Sequence, residues 1–123
     1  MPRSLQNFPK RGDIYTANLD PSFGREIHKK RPVLIVSNDI INQNFSTVII
    51  LPMSSIVPQF IGPDLVKVPG SFGLAKESVI LATQIRSIDK ERLVNKIGRI
   101  PTNIIEDVEF ALRIVLGLDQ FKP

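Results

Sequence analysis

Apolar residues in this chain cluster first in short groups of strand length, and only near the end at helical spacing. Ile14–Asn18 alternates apolar and polar positions and stops at Leu19-Asp20-Pro21-Ser22, a turn cluster opening a loop that reaches about Lys30. Pro32-Val33-Leu34-Ile35-Val36-Ser37 is almost continuously apolar and rich in β-branched residues, which predicts a buried central strand. Pro32 is admissible only at its first position, because an interior proline removes a ladder donor. Arg31 therefore stands where the loop enters the core sheet. Asn38–Phe45 is polar and turn-rich, with room for one helical turn, and Thr47–Met53 is a further apolar strand interrupted late by Pro52. Pro58, Gly62 and Pro63 mark a second long loop, of the kind a compact domain keeps where it covers or binds something. Asp64–Val68 predicts a short edge-like strand, Pro69–Gly73 a turn, Ser78–Ala82 an apolar strand, Lys90–Leu93 one helical turn capped by Asp89, and Asn95–Ile100 a last strand.

The period then changes. Ile105, Val108, Leu112, Val115 and Leu116 recur at spacings of three and four, and Ile104, Ala111, Ile114 and Leu118 widen the stripe. This predicts a helix of about four turns, opened near Thr102 and closed at Gly117, broad enough to be buried against the sheet and against a second subunit. With Pro2 and Pro9 among polar residues, 1–10 is expected to be a loose arm, 11–118 a single domain and 119–123 a tail. The fold class is mainly β with helices (α+β): a small, mostly antiparallel β barrel or sheet with a C-terminal helix.

Composition supports a real core. At 123 residues, 42% hydrophobic and 23% charged, the chain falls in the globular range, and a domain of this size needs neither metal nor disulfides to hold it. It has no cysteine, which removes thiol catalysis and thiolate zinc sites and suits a reducing cytoplasm. No apolar run approaches the length of a membrane span, and no signal peptide is evident at the start, so a cytoplasmic protein is expected. The net charge of +4 is informative once located. Residues 1–31 carry seven basic side chains and three acidic ones, and the other 92 carry nine of each, so the whole excess lies in the first quarter, much of it in Arg25–Arg31. That asymmetry points to an anionic partner, nucleic acid being the commonest, against the plainer reading of a solvated charge run.

Elimination narrows the chemistry. The single histidine, His28, cannot supply a two-imidazole acid/base pair, and a lone loop histidine beside lysines is more often a surface residue. No His and carboxylate cluster has metal-ligand spacing; Glu106, Asp107 and Glu109 form the polar face near the favourable end of the helix dipole. Gly70-Ser71-Phe72-Gly73 is too short for a phosphate-binding loop of the GxxxxGK type. Neither a metal nor a cofactor is expected. What remains is guanidinium and hydroxyl chemistry: Arg31 at a strand entry, Arg25 in the same loop, Ser54 and Ser55 leaving a neighbouring strand. If the strands of Arg31 and Ser54 pair, a planar donor fork and a hydroxyl face one phosphate. The competing reading of Arg31 is a salt bridge to Asp13 or Asp39 that closes the sheet edge, and that of Ser54 an ordinary loop serine.

Arg11-Gly12-Asp13-Ile14-Tyr15, Leu19-Asp20-Pro21 with Gly24 and Glu26, and Arg31-Pro32-Val33-Leu34-Ile35-Val36-Ser37-Asn38-Asp39 resemble successive motifs of the MazF/PemK (Kid) toxins of toxin–antitoxin pairs. Pro52-Met53-Ser54-Ser55, Ser78-Val79-Ile80-Leu81, the stretch Gln84–Leu93 and the closing helix keep that order, so the likeness runs from Arg11 to about Leu118. The resemblance implies an SH3-like β barrel, a homodimer, and a metal-independent endoribonuclease acting on single-stranded RNA at short motifs. The 2′-hydroxyl would attack the adjacent phosphodiester, leaving a 2′,3′-cyclic phosphate and a 5′-hydroxyl.

The same resemblance puts the catalytic arginine on Arg31 and its partner hydroxyl, usually threonine, on Ser54. It puts RNA contacts on Phe23, Gly24, Arg25, Glu26 and Gln84, with Lys29 and Lys30 adding to the basic wall. Arg25 and Thr83 stand where the PemK branch has histidine and aspartate, which favours the arginine and hydroxyl version of the mechanism. Glu26 and Arg25 are candidates for proton transfer. The expected protein partner is an antitoxin with an acidic, flexible tail. The alternative is a binding protein on the same scaffold, like the branch that poisons DNA gyrase, or a degenerate member that binds RNA or antitoxin without turnover.

Overall fold

The computed structural model describes residues 7–119, so residues 1–6 of the expected arm and 120–123 of the expected tail lie outside the described residues. The end of the arm is tied in: Pro9 is buried and the Lys10 N–H donates to the Asp13 carboxylate at 2.8 Å. The elements are β1 (Asp13–Asn18), β2 (Lys30–Ile35), α1 (Asp39–Asn44), β3 (Thr47–Ser54), β4 (Leu65–Val68), β5 (Ser78–Leu81), β6 (Arg86–Asp89), β7 (Leu93–Arg99) and α2 (Thr102–Leu116), with 3-10 turns at Ala82–Gln84 and Lys90–Arg92. All pairings are antiparallel, in the order β4-β5-β3-β2-β1-β7, with β6 added on β3.

The central strands are apolar on both faces because each face meets its own core. Ile14, Leu34, Leu51, Met53, Val66, Val68 and Ile80 pack with Ile104, Val108 and Ala111 of α2. On the other face Ala17, Leu19, Val33, Ile35, Val48, Ile50 and Ile88 close together. This explains the unbroken hydrophobic run of β2, since a strand buried on both sides has no reason to alternate. Pro52 falls where β3 changes partner: Thr47–Ile50 pair with β6, whereas Met53 and Ser54 pair with β5. The missing N–H therefore sits at a break in the ladder.

Two local expectations come out differently. Arg86–Asp89 is a strand, left unassigned in the sequence because only Ile88 of its four residues is buried. The last strand begins at Leu93 rather than Asn95, directly after the 3-10 turn whose Asp89 side chain accepts from the Glu91 N–H. The final helix closes at Gly117, whose φ of 67° is left-handed. Its N–H reaches the Ile114 carbonyl and that of Leu118 the Arg113 carbonyl, satisfying acceptors that the last helical turn leaves open. Arg11 fastens α2 to the sheet, donating to the Val36 carbonyl at 2.7 Å and pairing with Glu109.

Candidate functional site

Strand register brings the two principal candidates together. Val33 lies opposite Pro52, and the same register carried two residues further sets Arg31 across from Ser54. Ser54 in turn pairs with Val79 of β5. These strand ends floor a groove of about 180 Å³ lined by Arg31, Pro32, Met53, Ser54, Ser55 and, from the far wall, Leu74, Ala75, Lys76 and Ser78. Guanidinium and hydroxyl thus open on one cleft.

Neither side chain is spent on a salt bridge or a buried bond that would explain it structurally. The Arg31 Nε–H donates to the His28 carbonyl at 3.2 Å, which orients the guanidinium plane and leaves its two terminal amino groups for a ligand. Among the described residues no carboxylate pairs with it. Asp13, one of the two acids considered, has a side chain only 2% exposed and is engaged by Arg99 at 2.9 Å and Lys96 at 3.3 Å. Asp39, the other, accepts from the Arg11 backbone N–H at 2.8 Å. The Ser54 Oγ accepts from the Ile56 N–H at 3.1 Å, so its own hydrogen remains available to donate.

The loop between β1 and β2 holds the remaining candidates in a defined shape. The Glu26 carboxylate accepts from the Phe23 N–H at 2.7 Å and the Glu26 N–H donates back to the Phe23 carbonyl, closing a tight turn around Gly24 and Arg25. Phe23 projects from this turn at 86% exposure, and Arg25, Lys29 and Lys30 are also exposed. Asp20 secures the return of the loop, accepting from the Lys29 N–H at 2.9 Å, with the His28 Nδ1 3.9 Å away. Gln84 is occupied in this structure: its side-chain oxygen accepts from the Ile27 N–H at 2.7 Å, so it ties the loop to the 3-10 turn after β5 and is not among the groove-lining residues.

Sequence reasoning did not single out the far wall, Leu74 to Ser78, whose cation Lys76 is separated from Arg31 by most of three strands. Nor did it single out Ile56 and Phe60, 79% and 81% exposed on the loop that follows Ser54. Burial, with a smaller push from the Asp13 carboxylate, raises the Tyr15 phenol above its ordinary value. Among the described residues no group of three or more His, Cys, Asp or Glu is placed to hold a metal ion, and no helix is long and apolar enough to cross a membrane.

Residues 10–116 match the family model described as a PemK-like, MazF-like toxin of type II toxin–antitoxin systems. Endoribonuclease EndoA of Bacillus subtilis is 39% identical over 113 residues, which cover 91% of this chain and 97% of that protein. The crystal structure of MazF from Deinococcus radiodurans superposes with a TM-score of 0.79 at 26% identity, covering 89% of this chain and 97% of its own. A MazE–MazF structure from the same organism gives 0.74 at 25% identity, with 91% and 98% covered.

Proposed function

The chain belongs to the PemK-like, MazF-like toxin family of type II toxin–antitoxin systems, and from that membership we propose that it is a metal-independent endoribonuclease cutting single-stranded RNA. The observation that carries this reading is the meeting of Arg31 and Ser54 on one groove, the guanidinium with its two terminal amino groups free and the serine with its O–H free. The relative from Bacillus subtilis, named an endoribonuclease, supports the activity.

In the proposed reaction the ribose 2′-oxygen forms a bond to the adjacent phosphorus and the bond from phosphorus to the 5′-oxygen breaks. The proton of the 2′-hydroxyl is removed and one is delivered to the leaving oxygen, giving a 2′,3′-cyclic phosphate and a 5′-hydroxyl. The pentacovalent intermediate gathers charge on its non-bridging oxygens. A guanidinium already oriented by the His28 carbonyl stabilises that charge without reorganising, an effect worth about 3–4 kcal/mol where one such donor has been removed from other enzymes. Ser54 positions the phosphate through its free O–H. Arg31 itself is a poor base, because its guanidinium stays protonated at neutral pH; the same holds for Arg25, so of the two candidates on the preceding loop Glu26 is the one able to accept the 2′-hydroxyl proton. Phe23 offers a face on which a splayed base stacks, a contact worth about 1–3 kcal/mol.

We place the protein in the cytoplasm, acting on mRNA and so arresting translation, and restrained by an acidic antitoxin that covers the basic loop. A homodimer accounts for the otherwise exposed Phe110, Ile114, Leu116 and Leu118 on and just after α2. The test is incubation with a long mixed-sequence RNA in excess EDTA, followed by mapping of the ends. Cleavage with cyclic-phosphate ends is expected, blocked when the nucleotide 5′ to the cut lacks its 2′-hydroxyl. A requirement for added Mg²⁺, or cutting of the deoxy substrate, would refute the mechanism. Binding without cleavage would instead mark a member that has lost turnover.

A further inference from the structure

Opposite Arg31 the groove is walled by the loop from Pro69 to Glu77, and its only charged lining residue there is Lys76. This loop is packed directly against β7. Its Phe72–Gly73 peptide crosses β7 backbone to backbone: a Cβ on Gly73 would come within 1.8 Å of the Ile97 carbonyl oxygen, and one on Gly98 within 1.6 Å of the Phe72 carbonyl oxygen. Leu74 is buried in the core beneath, its N–H bonded to the Ser71 carbonyl at 3.0 Å. The Ser78 hydroxyl donates to the Lys76 carbonyl at 3.1 Å. The backbone of Lys76 is thus fixed at the rim while its ammonium is exposed. Among the described residues no carboxylate pairs with that ammonium, and the neighbouring acid, Glu77, is turned to Lys67 at 3.6 Å.

We propose that Lys76 is a second phosphate-binding cation of the groove, holding an RNA phosphate next to the one that Arg31 and Ser54 engage. The proposal rests on the ribonuclease reading of the site and extends its binding surface from the loop before β2 to the opposite wall. Two cations lining one groove favour an extended polyanion over a single phosphate, because one strand satisfies both without burying either charge unpaired. A lysine suits this role, since a mobile point charge tolerates the varied backbone of a single strand better than a planar fork would.

The experiment measures binding of a fluorescein-labelled, mixed-sequence 2′-deoxy oligonucleotide, which cannot be cut, across a series of salt concentrations, beside cleavage of the corresponding RNA. Lys76→Ala is expected to weaken binding at low salt by about tenfold and to reduce the slope of log affinity against log salt by about 0.7, one phosphate contact on a single strand. It should raise KM for the RNA by a similar factor with kcat within about twofold, because the fork and hydroxyl are untouched. Lys76→Arg should restore most of the affinity, and Lys90→Ala, which removes a lysine outside the groove lining, should change neither quantity. An unchanged slope in Lys76→Ala, or an equal loss in Lys90→Ala, overturns the proposal. Loss of kcat with KM unchanged would overturn it as well. If the wild-type protein binds the oligonucleotide with the expected slope change on substitution but leaves the RNA intact, the ribonuclease reading fails while the phosphate site stands.

Discussion

Replacement of Arg31 by lysine isolates what the guanidinium contributes beyond its charge. Lysine keeps the positive charge but has no Nε–H to bond the His28 carbonyl and no second arm for a phosphate oxygen. The loss is one charge-assisted hydrogen bond in the transition state, about 1.5–3 kcal/mol, which is roughly a 10- to 150-fold fall in kcat/KM. Arg31→Ala removes the charge as well and should cost about a thousandfold, the upper end for one oxyanion donor. Neither change should unfold the protein, because Arg31 pairs with no acid among the described residues and contributes one backbone-directed bond worth about 1 kcal/mol. For a chain of this size that is a fall of roughly 3–5 °C in Tm. The assay is initial-rate cleavage of a fluorogenic RNA carrying the mapped site, with thermal unfolding measured on the same preparations. Activity of Arg31→Lys within threefold of wild type would refute the fork argument. Inactivity of Arg31→Ala accompanied by loss of the folding transition would show that the residue is structural.

Two further outcomes concern the scaffold. Gly98→Ala places a methyl 1.6 Å from the Phe72 carbonyl oxygen, a backbone atom that cannot swing aside, so it should lower stability by about 2–3 kcal/mol in urea titration; an unchanged midpoint would mean that the crossing is not tight. Tyr15 is the only tyrosine and the chain has no tryptophan, so its ionisation can be followed directly by absorbance. Burial and then Asp13 raise its pKa, and the midpoint should lie above that of the denatured chain, near 10, and fall in Asp13→Asn. Because the folded state holds this proton more tightly, the stability it contributes is complete below the unfolded value and is lost as pH rises through the folded one. A folded midpoint at or below that of the denatured chain would contradict this.

The sequence displayed those parts of the fold whose pattern is local. The unbroken run after Pro32, the helical spacing from Ile104 to Leu116, the stop at Gly117 and the Asp89 cap are each written in a few consecutive residues. β6 was not legible because Ile88 alone faces a core, and one apolar residue in four is no pattern. The site divides in the same way. Arg31 and Ser54 were visible as strand ends, but the competing ion pairs could be dismissed only in three dimensions, where Asp13 is taken by Arg99 from β7. For Gln84 the structure adds a scaffold contact that its motif did not display, since its side-chain oxygen accepts from the Ile27 N–H across the fold. Lys76 lies in a stretch with no helical or strand period, and its meaning comes only from the glycine crossing that sets the loop against β7.

The pairing of β1 with β7 also bears on how the protein is made. Arg31 and Ser54 leave the ribosome early, but Asp13 waits for Arg99 and Arg11 for Glu109. β1 gains its second neighbour, and the wall bearing Lys76 its support on Gly98, only after residues 93–99 have emerged. Closure therefore depends on contacts between distant parts of the chain, which fold slowly. A partly synthesised chain thus carries Arg31 and Ser54 without the wall that completes the groove, and the proposed site is assembled only when nearly the whole chain has been made.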